Sequence, residues 1–142
     1  MKVSDIRTAA KFRQTALLID DQPTVLEIHA AVLESLKIKL NIVKMTNPVE
    51  ALNWMKYKQV DLIITDFRMS NMNGLEFVKA LKQTNPLLQH NIVVVTALSD
   101  RKIHEQLLQA GALVCLIKPA QKNTLAEIAM TVLNNKKQYF NS

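Results

Sequence analysis

Five residues carry the chemistry open to this chain: the adjacent acids Asp20 and Asp21, a third acid at Asp66, the hydroxyl of Thr96 and the amine of Lys118. Each closes or follows a short apolar run rich in β-branched residues. Taken singly, each has an ordinary role. An acid at a strand end is usually a cap or turn former, and a lone lysine is usually a solvated surface residue. Their shared place at strand ends gives them somewhere to meet. Three carboxylates within a few ångströms repel, and one lysine cannot neutralise them. A hard divalent cation such as Mg2+ resolves the repulsion, because it takes oxygen ligands from a few carboxylates and characteristically shares a phosphate with the protein. A carboxylate beside it can attack phosphorus and form an aspartyl-phosphate. Lys118 and the cation would offset the developing negative charge, and the Thr96 hydroxyl would bond a phosphoryl oxygen.

Five strands must deliver these residues, and the periodicity predicts them. Strands are expected over Ala16–Ile19, Leu40–Met45, Val60–Thr65, Ile92–Thr96 and Leu113–Ile117. Between them lie helix-period stretches. The first, Pro23 to Lys37, places Val25, Ile28, Val32 and Leu36 on one face. The second opens at Asn47-Pro48, with Asn as N-cap and Pro in the first turn. The third runs from Gly74 to Thr84 with Phe77, Val78 and Leu81 inward and Pro86 just beyond. The fourth spans Asp100 to Gln109 and stops at Gly111. The fifth runs from Thr124 to about Asn135 with Leu125, Ile128, Val132 and Leu133 inward, and Lys136 to Ser142 are expected to fray. Continuous apolar strands alternating with helices predict a (βα)5 α/β fold with a parallel, doubly wound sheet of flavodoxin-like order 2-1-3-4-5. Ligands then bind at the carboxyl ends of the strands. In that order strands 1, 3, 4 and 5 are neighbours, and the second strand ends off to one side.

Composition narrows the alternatives. A chain of 142 residues makes one domain. It holds two glycines, Gly74 and Gly111, so a P-loop or dinucleotide fingerprint is excluded. One cysteine, Cys115, excludes an internal disulfide and a cysteine-based zinc site and suits a reducing, cytoplasmic setting. The longest apolar run, Ala112–Ile117, is far short of a membrane span, and no secretory signal opens the chain. The formal net charge of +6 is terminal. Lys2, Arg7, Lys11 and Arg13 face only Asp5 at one end, and Lys118, Lys122, Lys136 and Lys137 face only Glu127 at the other. The charges between cancel, which argues against a nucleic-acid stripe across the domain.

At this point the chain resembles a known family, the receiver domain of two-component response regulators, of the chemotaxis-regulator (CheY-like) type. The matching residues are Asp20-Asp21, the run Asp66-Phe67-Arg68-Met69-Ser70-Asn71-Met72-Asn73-Gly74, Thr96-Ala97 and Lys118-Pro119. The resemblance covers residues 15–138, with 1–14 as a basic extension, loose or helical from Ser4, and 139–142 as a tail. It implies that Asp66 accepts a phosphoryl group from a phosphohistidine on a sensor kinase or phosphotransfer protein. It implies Mg2+ held by Asp21 directly, by Asp20 mainly through water, by Asp66 and by the backbone carbonyl of Arg68. Thr96 and Lys118 would grip the phosphoryl group, behind a cis Lys118-Pro119 bond that aims the lysine inward. The fourth helix, fifth strand and fifth helix would form the partner or homodimer face. No output domain follows the fifth helix in this sequence, so the output is expected in a partner or in further chain.

Departures from the family bear on output. Cys115 stands where most members carry an aromatic that swings inward as the threonine moves toward the phosphate. Ser70 replaces the proline after Met69 and is expected to loosen that loop. Arg68 is expected to lean over the phosphoryl group and slow its hydrolysis, and Leu98 cannot orient an attacking water by hydrogen bonding. His29, His90 and His104 show no metal-ligand spacing and read as structural or surface residues, and Trp54 and Met55 read as packing. The expected function is a phosphorylation-gated receiver. A phosphorylation-independent adaptor of the same fold is the alternative, and a small Mg2+-dependent phosphatase is a third reading for which short loops leave little room.

Overall fold

The structure is a computed structural model and describes residues 13–84, 86 and 90–141. The expected extension therefore falls outside the described residues up to position 12, as does Ser142 of the expected tail. Five strands form one parallel sheet: β1 Gln14–Ile19, β2 Leu40–Met45, β3 Leu62–Asp66, β4 Ile92–Thr96 and β5 Val114–Ile117. Five helices alternate with them: α1 Pro23–Glu34, α2 Pro48–Met55, α3 Gly74–Thr84, α4 Arg101–Ala110 and α5 Lys122–Asn141. The strand order is β2-β1-β3-β4-β5, as the alternating pattern predicts.

Alternation along the buried strands splits the interior in two. Ala16, Leu18, Leu62, Ile64, Val93 and Val95 face one side, where α1 and α5 cover them with Leu26, Ala30, Leu33, Leu125, Ala129 and Leu133. Leu17, Ile19, Ile63, Ile92 and Val94 face the other, under Ala51 and Met55 of α2, Phe77, Val78 and Leu81 of α3, and Leu107 of α4. Trp54 packs at the margin of this second layer, as packing rather than ligand.

Several boundaries differ from expectation for local reasons. α1 ends at Glu34, three residues early, because Ser35 turns its hydroxyl onto the Val32 carbonyl at 2.6 Å and its N–H onto Ala31 and Val32. Its inward face is Leu26, Ala30 and Leu33, and Ile28 is 50% exposed. Of the expected stripe, Val32 is buried and Leu36 packs against the same core, whereas Ile28 turns outward. A helix packs on the stripe that meets its sheet, and small Ala30 permits that approach. Asp100 is the N-cap of α4, its carboxylate accepting the Lys102 N–H at 2.9 Å. α5 runs on to Asn141, past the expected stop near Asn135, because neither glycine nor proline interrupts it. Asn47 caps α2 as its sequence suggests, accepting from Val49 and Glu50. Gly111, past α4, holds φ of +125°, a left-handed conformation that glycine adopts without strain.

Candidate functional site

The sheet register brings the polar residues to one end. Asp20 follows the last residue of β1, Asp66 closes β3, Thr96 closes β4 and Lys118 follows β5. Asp66 lies level with Val95, and Thr96 with Ile117, so the carboxyl ends of β3, β4 and β5 are aligned. Carboxylate oxygens of Asp20, Asp21 and Asp66 lie within 4.8 Å of one another. Lys118 Nζ reaches 3.1 Å from Asp66 Oδ1 and 3.4 Å from Asp20 Oδ2. Its peptide bond to Pro119 is cis, as the resemblance implied.

Burial makes this arrangement costly without a further cation. Asp20 is 1% exposed and Asp66 is 8% exposed, whereas Asp21 opens to solvent. Burial pushes the Asp20 carboxyl above its ordinary value; the Gln22 N–H on Oδ1 at 2.9 Å works against this, the Asp66 charge adds to it, and Lys118 opposes it. One ammonium, paired with Asp20 and Asp66, beside a cluster of three acids leaves negative charge uncompensated. The donors are all oxygens, clustered and partly open to water, and that set fits a hard divalent cation such as Mg2+.

Backbone donors fix the acceptor candidates. Asp66 Oδ1 accepts the Phe67 N–H at 2.8 Å in addition to Lys118, so both contacts fall on one oxygen. The Asp66 carbonyl accepts the hydroxyl of fully buried Thr65 at 3.0 Å. Thr96 is buried, its Oγ1 accepts the Leu98 N–H at 3.0 Å, and its carbonyl accepts the Lys118 N–H at 2.7 Å. Gly74 opens α3 against the end of β3, its N–H donating to the Phe67 carbonyl at 2.7 Å. Asn73 and Glu76 cap that helix reciprocally: Asn73 Oδ1 accepts the Glu76 N–H at 2.8 Å, and Glu76 Oε1 accepts the Asn73 N–H at 3.0 Å.

Asp20, Asp21, Asp66 and Lys118 therefore converge, and Thr96 lies at the same sheet end. The Arg68 side chain is not drawn in; it is exposed and forms no ion pair among the described residues. Thr65, the Asn73–Glu76 cap and His104, whose Nε2 lies 2.8 Å from the Leu98 carbonyl, were missed as site supports. An Asn three residues before a Glu ahead of a helix was the one readable signal among them. His29 is 8% exposed, and burial, with Lys118 nearby, holds its ring below the ordinary imidazole range. Cys115 is half-buried on the outermost strand, where burial pushes its thiol up and makes it less reactive.

Comparison with known proteins gives the same class. The response regulator receiver domain family matches residues 16–130. The chain is 29% identical over 122 residues to the cyclic di-GMP phosphodiesterase response regulator RpfG of Xanthomonas campestris pv. campestris, covering 86% of this chain and 32% of that protein. It is 32% identical over 121 residues to the response regulator protein PilR of Pseudomonas aeruginosa, covering 85% of this chain and 26% of that protein. The chain thus spans a third or less of these two relatives. A response regulator receiver domain from Clostridium thermocellum superposes with a TM-score of 0.77 at 23% identity, over 89% of this chain and 98% of that one, a likeness of fold. The chain belongs to the response regulator receiver domain family. It is a signalling domain of the phosphorylation-based two-component type, with no described helix long and apolar enough to cross a membrane.

Proposed function

We propose that residues 15–138 form a cytoplasmic receiver unit that accepts a phosphoryl group on Asp66 from a phosphohistidine of a sensor kinase or phosphotransfer protein. The observation that carries this reading is the clustering of three carboxylates at aligned strand ends, two of them, Asp20 and Asp66, paired with Lys118. Asp66 Oδ2, the oxygen without the Phe67 and Lys118 donors, attacks phosphorus. The O–P bond forms, the P–N bond to the donor imidazole breaks, and that nitrogen keeps the electron pair and takes a proton from solvent. The carboxylate charge of Asp66 is lost in the new O–P bond, so Lys118 turns from Oδ1 to a phosphoryl oxygen, and the Thr96 hydroxyl donates to another. Asp20, Asp21, Asp66 and the Arg68 carbonyl would hold Mg2+, which neutralises charge on the phosphoryl oxygens when bound. The exposed Arg68 guanidinium screens the product from water. Transfer ends on the protein itself, so the domain is a switch and not a turnover enzyme. α4, β5 and α5 present the face read by a partner or a second copy.

The test is incubation with acetyl phosphate or beryllofluoride and Mg2+, followed by intact mass and amide NMR. One phosphoryl group per chain is expected, lost in Asp66→Asn and on adding EDTA. A chain inert under all these conditions is an adaptor instead, and turnover of many equivalents of a phosphoester marks an enzyme.

A further inference from the structure

Cys115 cannot present a ring to the switch, yet the site is wired to α4 by another route. Thr96 Oγ1 accepts the Leu98 N–H at 3.0 Å, and the carbonyl of the same residue, Leu98, meets Nε2 of His104 at 2.8 Å. His104 sits in the first turn of α4, where its own N–H donates to the Asp100 carbonyl at 3.2 Å. One residue, Leu98, therefore stands between the site hydroxyl and the helix, its N–H on one side and its carbonyl on the other. α4 is also the helix least tied to the core. Its buried anchor is Leu107 alone, against three or more buried residues in each of α1, α2 and α3. A helix with one buried anchor, and only partly buried Ile103 and Ala110 packed beside it, is drawn from the low-stability end of the molecule.

We propose that His104 is a positioning residue that couples the Thr96 hydroxyl to α4 through the Leu98 backbone. The inference rests on the phosphoryl-accepting role given to Asp66 above. A Thr96 hydroxyl that turns toward a phosphoryl group must drop the Leu98 N–H or draw that residue along. The Leu98 carbonyl moves with it, and the bond to His104 passes the displacement to α4. A carbonyl only accepts hydrogen bonds, so His104 Nε2 carries the hydrogen and Nδ1 is bare in the neutral ring. Protonation adds a hydrogen at Nδ1 and leaves the link intact.

Two measurements on the 142-residue chain decide the matter. Long-range 1H–15N spectra of the imidazoles should show His104 as the Nε2–H tautomer at neutral pH, and the Nδ1–H tautomer overturns the link. Amide shifts are then followed on adding beryllofluoride and Mg2+ to wild type, His104→Leu and His104→Gln. In wild type, residues around Asp66, Thr96 and α4 should all respond. His104→Leu should keep the response around Asp66 while the α4 shifts fall about threefold or more. His104→Gln, whose amide nitrogen can donate to the same carbonyl, should recover at least about half of them. Full α4 shifts in His104→Leu, or a glutamine variant no better than leucine, reject the coupling. Wild-type protein without any response at Asp66 rejects the phosphoryl reading and the coupling with it.

Discussion

Asp20 is a buried carboxylate with a second acid beside it. Its carboxyl titrates above the ordinary value of 3.8, first because it is buried and further because Asp66 is beside it. In a metal-free chain a raised acid pKa means that the folded state holds the proton more tightly than the unfolded one. Stability from this residue is therefore present in acid, below 3.8, and is lost as pH rises through the folded value. Asp20→Asn keeps an oxygen for the Gln22 N–H and removes the charge. In EDTA at neutral pH it should raise stability by about 1 kcal/mol, a Tm increase of about 2–4 °C. The gain should shrink toward zero as the buffer is taken down toward pH 3.8. Added Mg2+ should stabilise wild type more than the variant, since a ligand raises Tm in proportion to its preference for the folded state and the variant has lost one of the clustered carboxylates. Thermal melts across pH, with and without EDTA, check all three, and a variant less stable than wild type at neutral pH in EDTA refutes the account. At this scale the sequence was legible where chemistry depends on residue type: three acids, a threonine and a lysine at strand ends. It was silent on Thr65 and His104, because their partners are backbone carbonyls and no letter records where a carbonyl points.

At the scale of elements, the start of α3 is where fold and site touch. A Cβ on Gly74 would stand 3.0 Å from Phe67 Cα and 3.1 Å from the Asp66 carbonyl oxygen. Those are backbone atoms of the residue proposed as acceptor and its neighbour, so they cannot swing aside. Gly74→Ala should cost about 1–3 kcal/mol and slow acetyl-phosphate labelling of Asp66, read by denaturant melts and intact mass. An alanine variant with wild-type stability and labelling would show that the strand end yields. The sequence marked Gly74 as the opening of a helix but not the closeness that requires it, since that depends on how α3 lies against β3. The same limit explains α1. Its span was legible from Pro23 onward, but its inward face passes through His29 and Ala30, letters that a hydrophobic pattern does not count. The strand core was easier to read, because an uninterrupted apolar run buried on both faces has no face to mistake.

Over the whole molecule, the sheet divides the interior into two layers whose side chains meet different helices. Substitutions on opposite layers should then add, and those on one layer should couple. Ile64 faces α1 and α5, whereas Val78 of α3 lies in the other layer. The double variant Ile64→Val with Val78→Ala should lose the sum of its single losses to within about 0.5 kcal/mol. Ile64 pairs in register with Leu18 on its own face, so Ile64→Val with Leu18→Val should depart from additivity by about 0.5 kcal/mol or more. Urea melts of the five variants measure both, and cross-sheet coupling as large as same-face coupling would mean that the sheet transmits strain.

The strand at the opposite edge from β5, β2, meets the acidic cup only through backbone, its Met45 carbonyl accepting the Asp20 N–H at 3.2 Å, and its side-chain ion pair, Lys44 Nζ to Glu27 Oε1 at 2.7 Å, is exposed. That margin is accordingly a handle. A dye, a tether to a sensor surface or a fused reporter placed at exposed Asn41 sits a full strand away from every group that handles phosphorus, so instrumentation can be hung there while the working edge stays bare.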